Sequence, residues 1–313
     1  MGHTGEVAIG LDIGGTNIKS GIVNAEGVVI HHLNCPTKAN EGGEALLNRI
    51  TEITKELERY SSSQGWKVKG VGIGTAGQVN SRTGVVMGAT ANLPGWAGME
   101  IGNRLHSMTG LSVLIDNDAN AMAFGEAWVG SGRQWNDFVC VTLGTGVGGC
   151  LIINHRPYQG RDGFAGEIGH HVIEYSGYPC NCGRTGCWEQ YASVTGLMRM
   201  VEEAGTELEE ISTAESIFAS AQEGNDASIH VLRRYTQYIA AGLANMVHTF
   251  NPEGIVIGGA ITRQGDFLLN PVRESLSHQL LPVFRERVRE IEVVSASLGD
   301  NGGVVGAVAG YFI

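Results

Sequence analysis

The sequence predicts two α/β domains, each presenting a β-hairpin with a glycine tip. Three observations carry this. At 313 residues the chain is long enough for two domains that each bury a core. Apolar strands alternate with helical patterns along it. One strand–turn–strand pattern also occurs twice. FVCVTLGTGVGGCLIIN lies over AIGLDIGGTNIKSGIVN at a constant offset of 130 residues, so Gly144 matches Gly14, Ile152 matches Ile22 and Asn154 matches Asn24.

The elements follow in order. EVAIGLDIGGTNIKSGIVNAEGVVIHHL reads as strand, glycine turn, strand, turn, strand, with the first apolar run ending at Asp12. A helix follows from about Glu41 to Tyr60, because Leu46, Ile50, Ile53 and Leu57 share one face. VKGVGIGTAG is a strand entering a second glycine turn. LSVLID is a strand that stops at Asp116, and NDANAMAFGEAWVG reads as a loop opening a helix. After the repeated hairpin, helical patterns dominate from Trp188 to about Phe250. EGIVIGGAI is a strand ending in glycines; a helix, the strand IEVVSAS and the small-residue helix GGVVGAVAGYF finish the chain.

Composition excludes several classes. Hydrophobic residues are 42% and charged residues 17%, too apolar for a disordered chain. The net charge of −11 argues against a general nucleic-acid or anionic-membrane binder, which needs a positive footprint. No apolar stretch reaches the roughly 20 residues that span a bilayer. Met1 to Glu6 lacks the basic start and apolar core of a signal peptide. A cytoplasmic protein with reduced thiols is therefore expected.

The 47 glycines fall in clusters, as tight backbone sites do. Without Cβ, a strand–glycine turn lets backbone N–H groups approach an anion closely. Asp12 to Thr16 and Gly144 to Gly149 are two such candidates for phosphate, and Gly258 and Gly259 would let a flat adenine lie against the backbone. The spacing is not that of a P-loop, and a second strand stands where a Rossmann fingerprint needs a helix.

GEIGHHVIEYSGYPCNCGRTGCWEQ concentrates the remaining chemistry. Cys180, Cys182 and Cys187 have the spacing C-x-C-x4-C. In a reducing compartment three such thiols point to zinc, with His170 or His171 as the fourth ligand; unligated structural thiols are the alternative. Cys140 and Cys150 read as small buried thiols in apolar strands, and Cys35 has no such spacing. The loop has little apolar content, so metal is expected to hold it together.

DIGGTNIKSGIV, DNDANA, LGTGVGG, GEIGHH, CNCGRTGCWEQYAS and IVIGGAI together resemble the ROK family of bacterial sugar kinases and sugar-responsive repressors, in the family's order and over nearly the whole chain. The resemblance implies a two-domain actin/hexokinase-like (ribonuclease H-like) ATPase fold with an interdomain cleft. It divides the chain into residues 1–117 plus 299–313, with the first phosphate hairpin, and 118–298, with the second hairpin, the zinc site and a dimerisation surface. The activity implied is ATP-dependent phosphorylation of a hexose by a homodimer, with Mg2+ and a structural Zn2+.

Sugar phosphorylation needs a base for the hydroxyl proton, groups that orient the ring, and donors and cations around the phosphates. The resemblance places the base at Asp118, with Asp116 as the competing carboxylate; pattern alone also allows Asp118 to cap the following helix. It places Asn117, Glu167, His170, Glu189, Gly77 and Asn92 at the sugar. Asp12 would orient magnesium through water, or else be an ordinary turn aspartate. Gly14, Gly15, Thr16, Gly144, Thr145 and Gly146 would meet phosphate, and Gly258 and Gly259 the adenine. Lys19 would reach a phosphate or lie solvated on its strand. His170, not His171, would complete the zinc site with Cys180, Cys182 and Cys187, its other ring nitrogen facing the sugar.

The family's repressors carry a DNA-binding region before the sugar domain. Here the first strand begins by about Glu6, so an enzyme is expected ahead of a regulator or another actin-like ATPase. ANLPGW, Glu167 in GEIGH and GCWEQYAS most resemble ROK glucokinases; fructokinase, N-acetylglucosamine kinase, N-acetylmannosamine kinase and β-glucoside kinase are the alternatives. In ANLPGW, Pro94 and Gly95 would turn while Leu93 and Trp96 pack a cleft wall.

Overall fold

The computed structural model describes residues 5–88, 92–286 and 291–313. Met1–Thr4 of the N-terminal segment and Ala91 of ANLPGW lie outside them. The chain forms two compact units. One holds Met1–Gln134, Leu151–Gly166 and Ser297–Ile313; the other holds Trp135–Cys150 and Glu167–Ala296.

The first unit opens with β1 (Glu6–Ile13) and β2 (Asn17–Asn24), an antiparallel hairpin in which Ile13 faces Ile18 and Asp12 faces Lys19. β3 (Val29–His32) and β4 (Cys35–Pro36) both pair with β2. Helix α1 (Gly43–Ser63) buries Leu46, Leu47, Ile50, Ile53 and Leu57, the expected face. β5 (Lys67–Thr75) then runs parallel to β1. A small hairpin, β6 (Gln78–Asn80) and β7 (Val85–Gly88), leads to α2 (Ile101–Thr109) and β8 (Val113–Asn117), which is parallel to β5. The strand order is β3-β2-β1-β5-β8. The central strands β1 and β5 are buried on both faces, which is why they read as near-continuous apolar runs.

α3 (Asp118–Trp128) starts where β8 ends. The loop expected there does not exist. Asn117 closes the strand and caps the helix at once, so no connecting residue is needed.

β9 (Phe138–Leu143) and β10 (Val147–Ile153) repeat the β1–β2 geometry. β1 and β9 end, and β2 and β10 begin, at the offset of 130 found in the sequence. β11 (Arg156–Pro157) folds back on β10. The second unit continues with α4 (Glu189–Ala192), α5 (Val194–Glu203), α6 (Ala214–Gln222) and α7 (Asp226–Phe250), then β12 (Gly254–Gly258), α8 (Asp266–Gln279), α9 (Pro282–Glu286) and β13 (Glu292–Ser295). β12 is parallel to both β9 and β13. Every residue of β12 is buried, including Gly254, as suits an interior strand between β9 and β13.

The last helix, α10 (Gly302–Val308), returns to the first unit. Its valines Val304, Val305 and Val308 cluster with Ala8 and Val23. Its small residues allow backbone contact with β1 and α3. A Cβ on Gly306 would lie 1.6 Å from the Ala121 carbonyl oxygen, and one on Gly10 would lie 2.2 Å from that of Val304. Among the described residues no helix is long and apolar enough to cross a membrane.

Candidate active site and candidate metal centre

The β8–α3 junction carries the candidate base. Asn117 is the cap: its Oδ1 accepts from the Ala119 N–H at 2.8 Å and the Asn120 N–H at 3.3 Å. Asp118 is therefore not the capping residue. It is the first residue of the helix, half-buried, with its Oδ1 2.9 Å from its neighbour's N–H. Asn117 also donates through Nδ2 to the Gly77 carbonyl at 2.9 Å. Its oxygen is thus committed to the cap, and one amide N–H is what it can offer a ligand.

Asp116 has a different task. Its Oδ1 accepts from the Asn117 N–H at 2.7 Å and from Asn120 Nδ2 at 2.8 Å, and its Oδ2 from Gln159 Nε2 at 2.6 Å. Burial pushes its pKa up, and those three donors oppose the rise. Asp116 ties the junction together, whereas Asp118 stands beside it.

Asp12 lies in the same unit, at the end of β1. Its pKa is raised to about 6, first by burial and then by the charge of Asp118, while Lys19 opposes the rise. A divalent cation between two such carboxylates would relieve that repulsion, which fits the donor set for Mg2+. Lys19 donates to Asp300 at 2.7 Å, so this lysine has a carboxylate partner. At the first hairpin tip, the Gly14 N–H donates to the Asn17 carbonyl at 3.0 Å. A Cβ on Gly15 would lie 2.9 Å from that of Asn92, so Asn92 and the hairpin adjoin. Thr16 is exposed, and its carbonyl accepts from the Thr37 N–H at 2.8 Å. Leu93 and Trp96 are core residues of this unit; the Trp96 indole donates to Thr75 Oγ1 at 3.0 Å.

In the second unit, Gly144 and Gly146 differ. Gly144 faces open space, but a Cβ on Gly146 would lie 2.4 Å from Glu189 Oε2. That same oxygen accepts from the Val147 N–H at 3.1 Å. Glu189 therefore joins the sugar candidates to the second hairpin. Thr145 is exposed, and its carbonyl accepts from Thr195 Oγ1 at 2.8 Å. Gly258 ends β12 opposite Thr142. Gly259 has φ of 101° and would place a Cβ 2.1 Å from the Leu143 carbonyl, so only glycine fits there.

His170, Cys180, Cys182 and Cys187 bring their ligand atoms within 4.8 Å of one another. Cys182 and Cys187 Sγ are 3.5 Å apart, and Cys180 Sγ is 3.7 Å from His170 Nδ1. Zn–S bonds of about 2.3 Å in a tetrahedron give edges of about 3.8 Å, so the cluster fits zinc. Burial first, then Cys182 and Cys180, push the Cys187 thiol up to about 12; a cation among them would reverse this. His170 Nε2 points away, 3.9 Å from Glu167 Oε2. His171 is outside the cluster, and its carbonyl accepts from the Trp188 N–H at 2.7 Å.

The expectation that metal alone holds this loop is corrected. Trp188 is fully buried and its indole donates to the Tyr238 carbonyl at 2.7 Å. Tyr191 lies against Tyr178 and Tyr238 with ring centroids 5.3 and 4.6 Å away, and Arg199 sits over the Tyr178 ring. These anchors stand on both sides of the three cysteines, and between them residues 181–185 are exposed.

Gln159 and Glu126 escaped the sequence reading. Glu126 is fully buried, and its carboxylate accepts from the Ser131 and Leu298 N–H groups at 2.7 and 2.9 Å. A glutamate at helical spacing reads as solvated, and nothing local in the sequence marks these partners.

A model of the ROK family matches residues 8–310. A glucokinase of Thermotoga maritima is 34% identical over 314 residues, covering 96% of each chain. One of Halalkalibacterium halodurans is 36% identical over 312 residues, covering 95% of this chain and 92% of the other. A xylose repressor of Bacillus spizizenii is 27% identical and covers 96% of this chain and 75% of its own. The structure of a ROK family glucokinase from Streptomyces griseus in complex with glucose and AMPPNP has a TM-score of 0.79 at 32% identity, covering 96% and 97% of the two chains. The actin/hexokinase-type α/β fold expected from the sequence is the fold of these neighbours.

Proposed function

Because the chain belongs to the ROK family, we propose that it is an ATP-dependent hexose kinase that phosphorylates glucose at O6. The observation that carries the mechanism is the placement of Asp118. It is a half-buried carboxylate at the first position of α3, separate from the capping residue and in one unit with Asp12 and the first glycine hairpin. As O6 of glucose attacks the γ-phosphorus, Asp118 takes the O6 proton; the bond to the β,γ-bridging oxygen breaks and ADP leaves. Mg2+, when bound, spreads positive charge over the phosphates, and Asp12 would hold it through water.

At the hairpin tips that the Gly14 and Gly144 N–H groups close, the N–H groups of Gly15, Thr16, Thr145 and Gly146 meet the phosphates, and Gly258 and Gly259 border the adenine. Lys19 contributes only by leaving Asp300. Asn117, Asn92, Gly77, Glu167, Glu189 and His170 orient sugar hydroxyls. His170, Cys180, Cys182 and Cys187 would hold a structural zinc, whose four protein ligands leave no open position for water. Held there, it would fix His170 and its neighbours without entering the reaction. We also propose a homodimer, which sedimentation would test.

An ADP-release assay over a panel of hexoses tests the reading. Glucose is expected to give a higher kcat/KM than fructose, N-acetylglucosamine or N-acetylmannosamine, with phosphorus NMR locating the phosphate on O6. An N-acetylated sugar outperforming glucose would replace the substrate. Glucose binding with no ADP release from any sugar would favour a sugar-responsive regulator, the second reading that the repressor relative supports.

A further inference from the structure

The excursion from Leu151 to Gly166 belongs to the first unit, although the residues on either side belong to the second. Its geometry is set locally. Asn154 and His155 have φ of 53° and 59°, the pair of left-handed residues that closes a two-residue hairpin with the right twist. That turn fixes Ile152 opposite Pro157 and brings the Tyr158 N–H to 2.7 Å from the Leu151 carbonyl. Gln159 is the next residue, and its position follows from this register.

Gln159 is half-buried and uses both ends of its amide. Nε2 donates to Asp116 Oδ2 at 2.6 Å, and Oε1 accepts from Ser81 Oγ. An ionised carboxylate only accepts, so the amide nitrogen must face Asp116. Through its other oxygen, Asp116 holds the Asn117 N–H and the Asn120 amide, and Asn117 caps the helix whose first residue is Asp118. Three separate stretches of chain thus converge on the junction that aims the base.

We propose that Gln159 is a positioning residue for Asp118: by bridging Ser81 and Asp116 it fixes the β8–α3 junction. Gln159 itself touches no reacting atom in this scheme, and the inference rests on Asp118 being the base. Removing the bridge lets the junction shift while the sugar and nucleotide contacts of the second unit persist. A small misplacement of a catalytic group is costly to rate and cheap to binding.

The test is a double-mutant cycle in the whole 313-residue chain. Gln159→Leu is expected to lower kcat about tenfold with both KM values within about threefold of wild type. Ser81→Ala is expected to lower kcat in the same direction by less, since Asp116 keeps its donor. In an Asp116→Asn background, Gln159→Leu is expected to have little further effect, because the group it acts through is already changed. Full kcat in a folded Gln159→Leu protein would overturn the proposal, as would a loss that multiplies unchanged in the Asp116→Asn background. An inactive wild type, or an Asp118→Asn variant of normal turnover, would instead strike the kinase reading itself.

Discussion

In the first hairpin the Gly14 N–H closes on Asn17; in the second, the Gly144 N–H closes on Gly146, also at 3.0 Å. Their strands end and begin 130 residues apart, yet their surroundings differ in kind. The first is set among charges: Asp12 with its pKa raised to about 6, the nearby charge of Asp118, and the Lys19–Asp300 pair. The second is held by Glu189 on the Val147 N–H and Thr195 on the Thr145 carbonyl, in the unit that carries the His/Cys cluster. On the proposed reading one backbone device would serve two tasks, the charged hairpin the chemistry and the second the holding of ligands. Damage to the first unit should appear in turnover, and damage to the second in KM.

The largest expected effect is on the charged side. Asp118→Asn should lower kcat by about 10²-fold or more with binding largely kept, as loss of a general base does. Asp116→Asn should cost less, because Asp116 organises the junction and takes no proton. A purified Asp118→Asn protein of near-normal turnover would break the comparison at its root.

The metal centre is next. Purified protein should hold about one zinc per chain, and Cys182→Ser should lose most of it. Chelation should raise the glucose KM about tenfold, the cost of misplacing charged hydrogen bonds, while the ATP KM stays. Hydrogen exchange should loosen residues 180–187 and leave the stretch around Trp188 and Tyr191 protected, because aromatic packing holds it without metal. His170→Ala should do more harm than His171→Ala. A metal-free protein with full sugar affinity would remove the role assigned to the cluster.

The glycines sharpen the contrast within one turn. Gly144→Val, with open space beside it, should raise the ATP KM several-fold and leave the sugar KM alone. Gly146→Val must displace Glu189, so both KM values should rise. Identical effects would mean that Glu189 does not contact the sugar.

The smallest effect concerns pH. Asp12 is protonated below about 6 and ionised above it, because burial and Asp118 raise its pKa. Apparent Mg2+ affinity should therefore weaken as pH falls through that range, and Asp12→Asn should flatten the dependence. An unchanged slope in that variant would remove Asp12 from the magnesium site.

What could be read from the sequence was what short-range pattern encodes. The apolar spacing of Leu46, Ile50, Ile53 and Leu57 marks α1, and two glycine turns mark the repeated hairpin. The C-x-C-x4-C spacing marks the cluster because short chelate loops must be local. What stayed hidden depends on partners distant in sequence. Whether Asn117 or Asp118 caps α3 turns on a one-residue difference at the strand end. Gln159 matters because a left-handed turn returns it to Asp116, 43 residues away. Trp188 and Tyr191 anchor the cysteine loop on Tyr238 of α7, a partner that no window around the cysteines contains.

The return of α10 to the first unit bears on the order in which the protein is built. β1 and β2 are made early, but the valines that cover Ala8 and Val23 are made after every residue of the second unit. Closing that contact spans nearly the whole chain, and closure of long loops is the slow part of folding. During synthesis the second unit can complete its sheet while one face of β1 still waits, bare and apolar. Until α10 is made, that bare face is open to capture by chaperones.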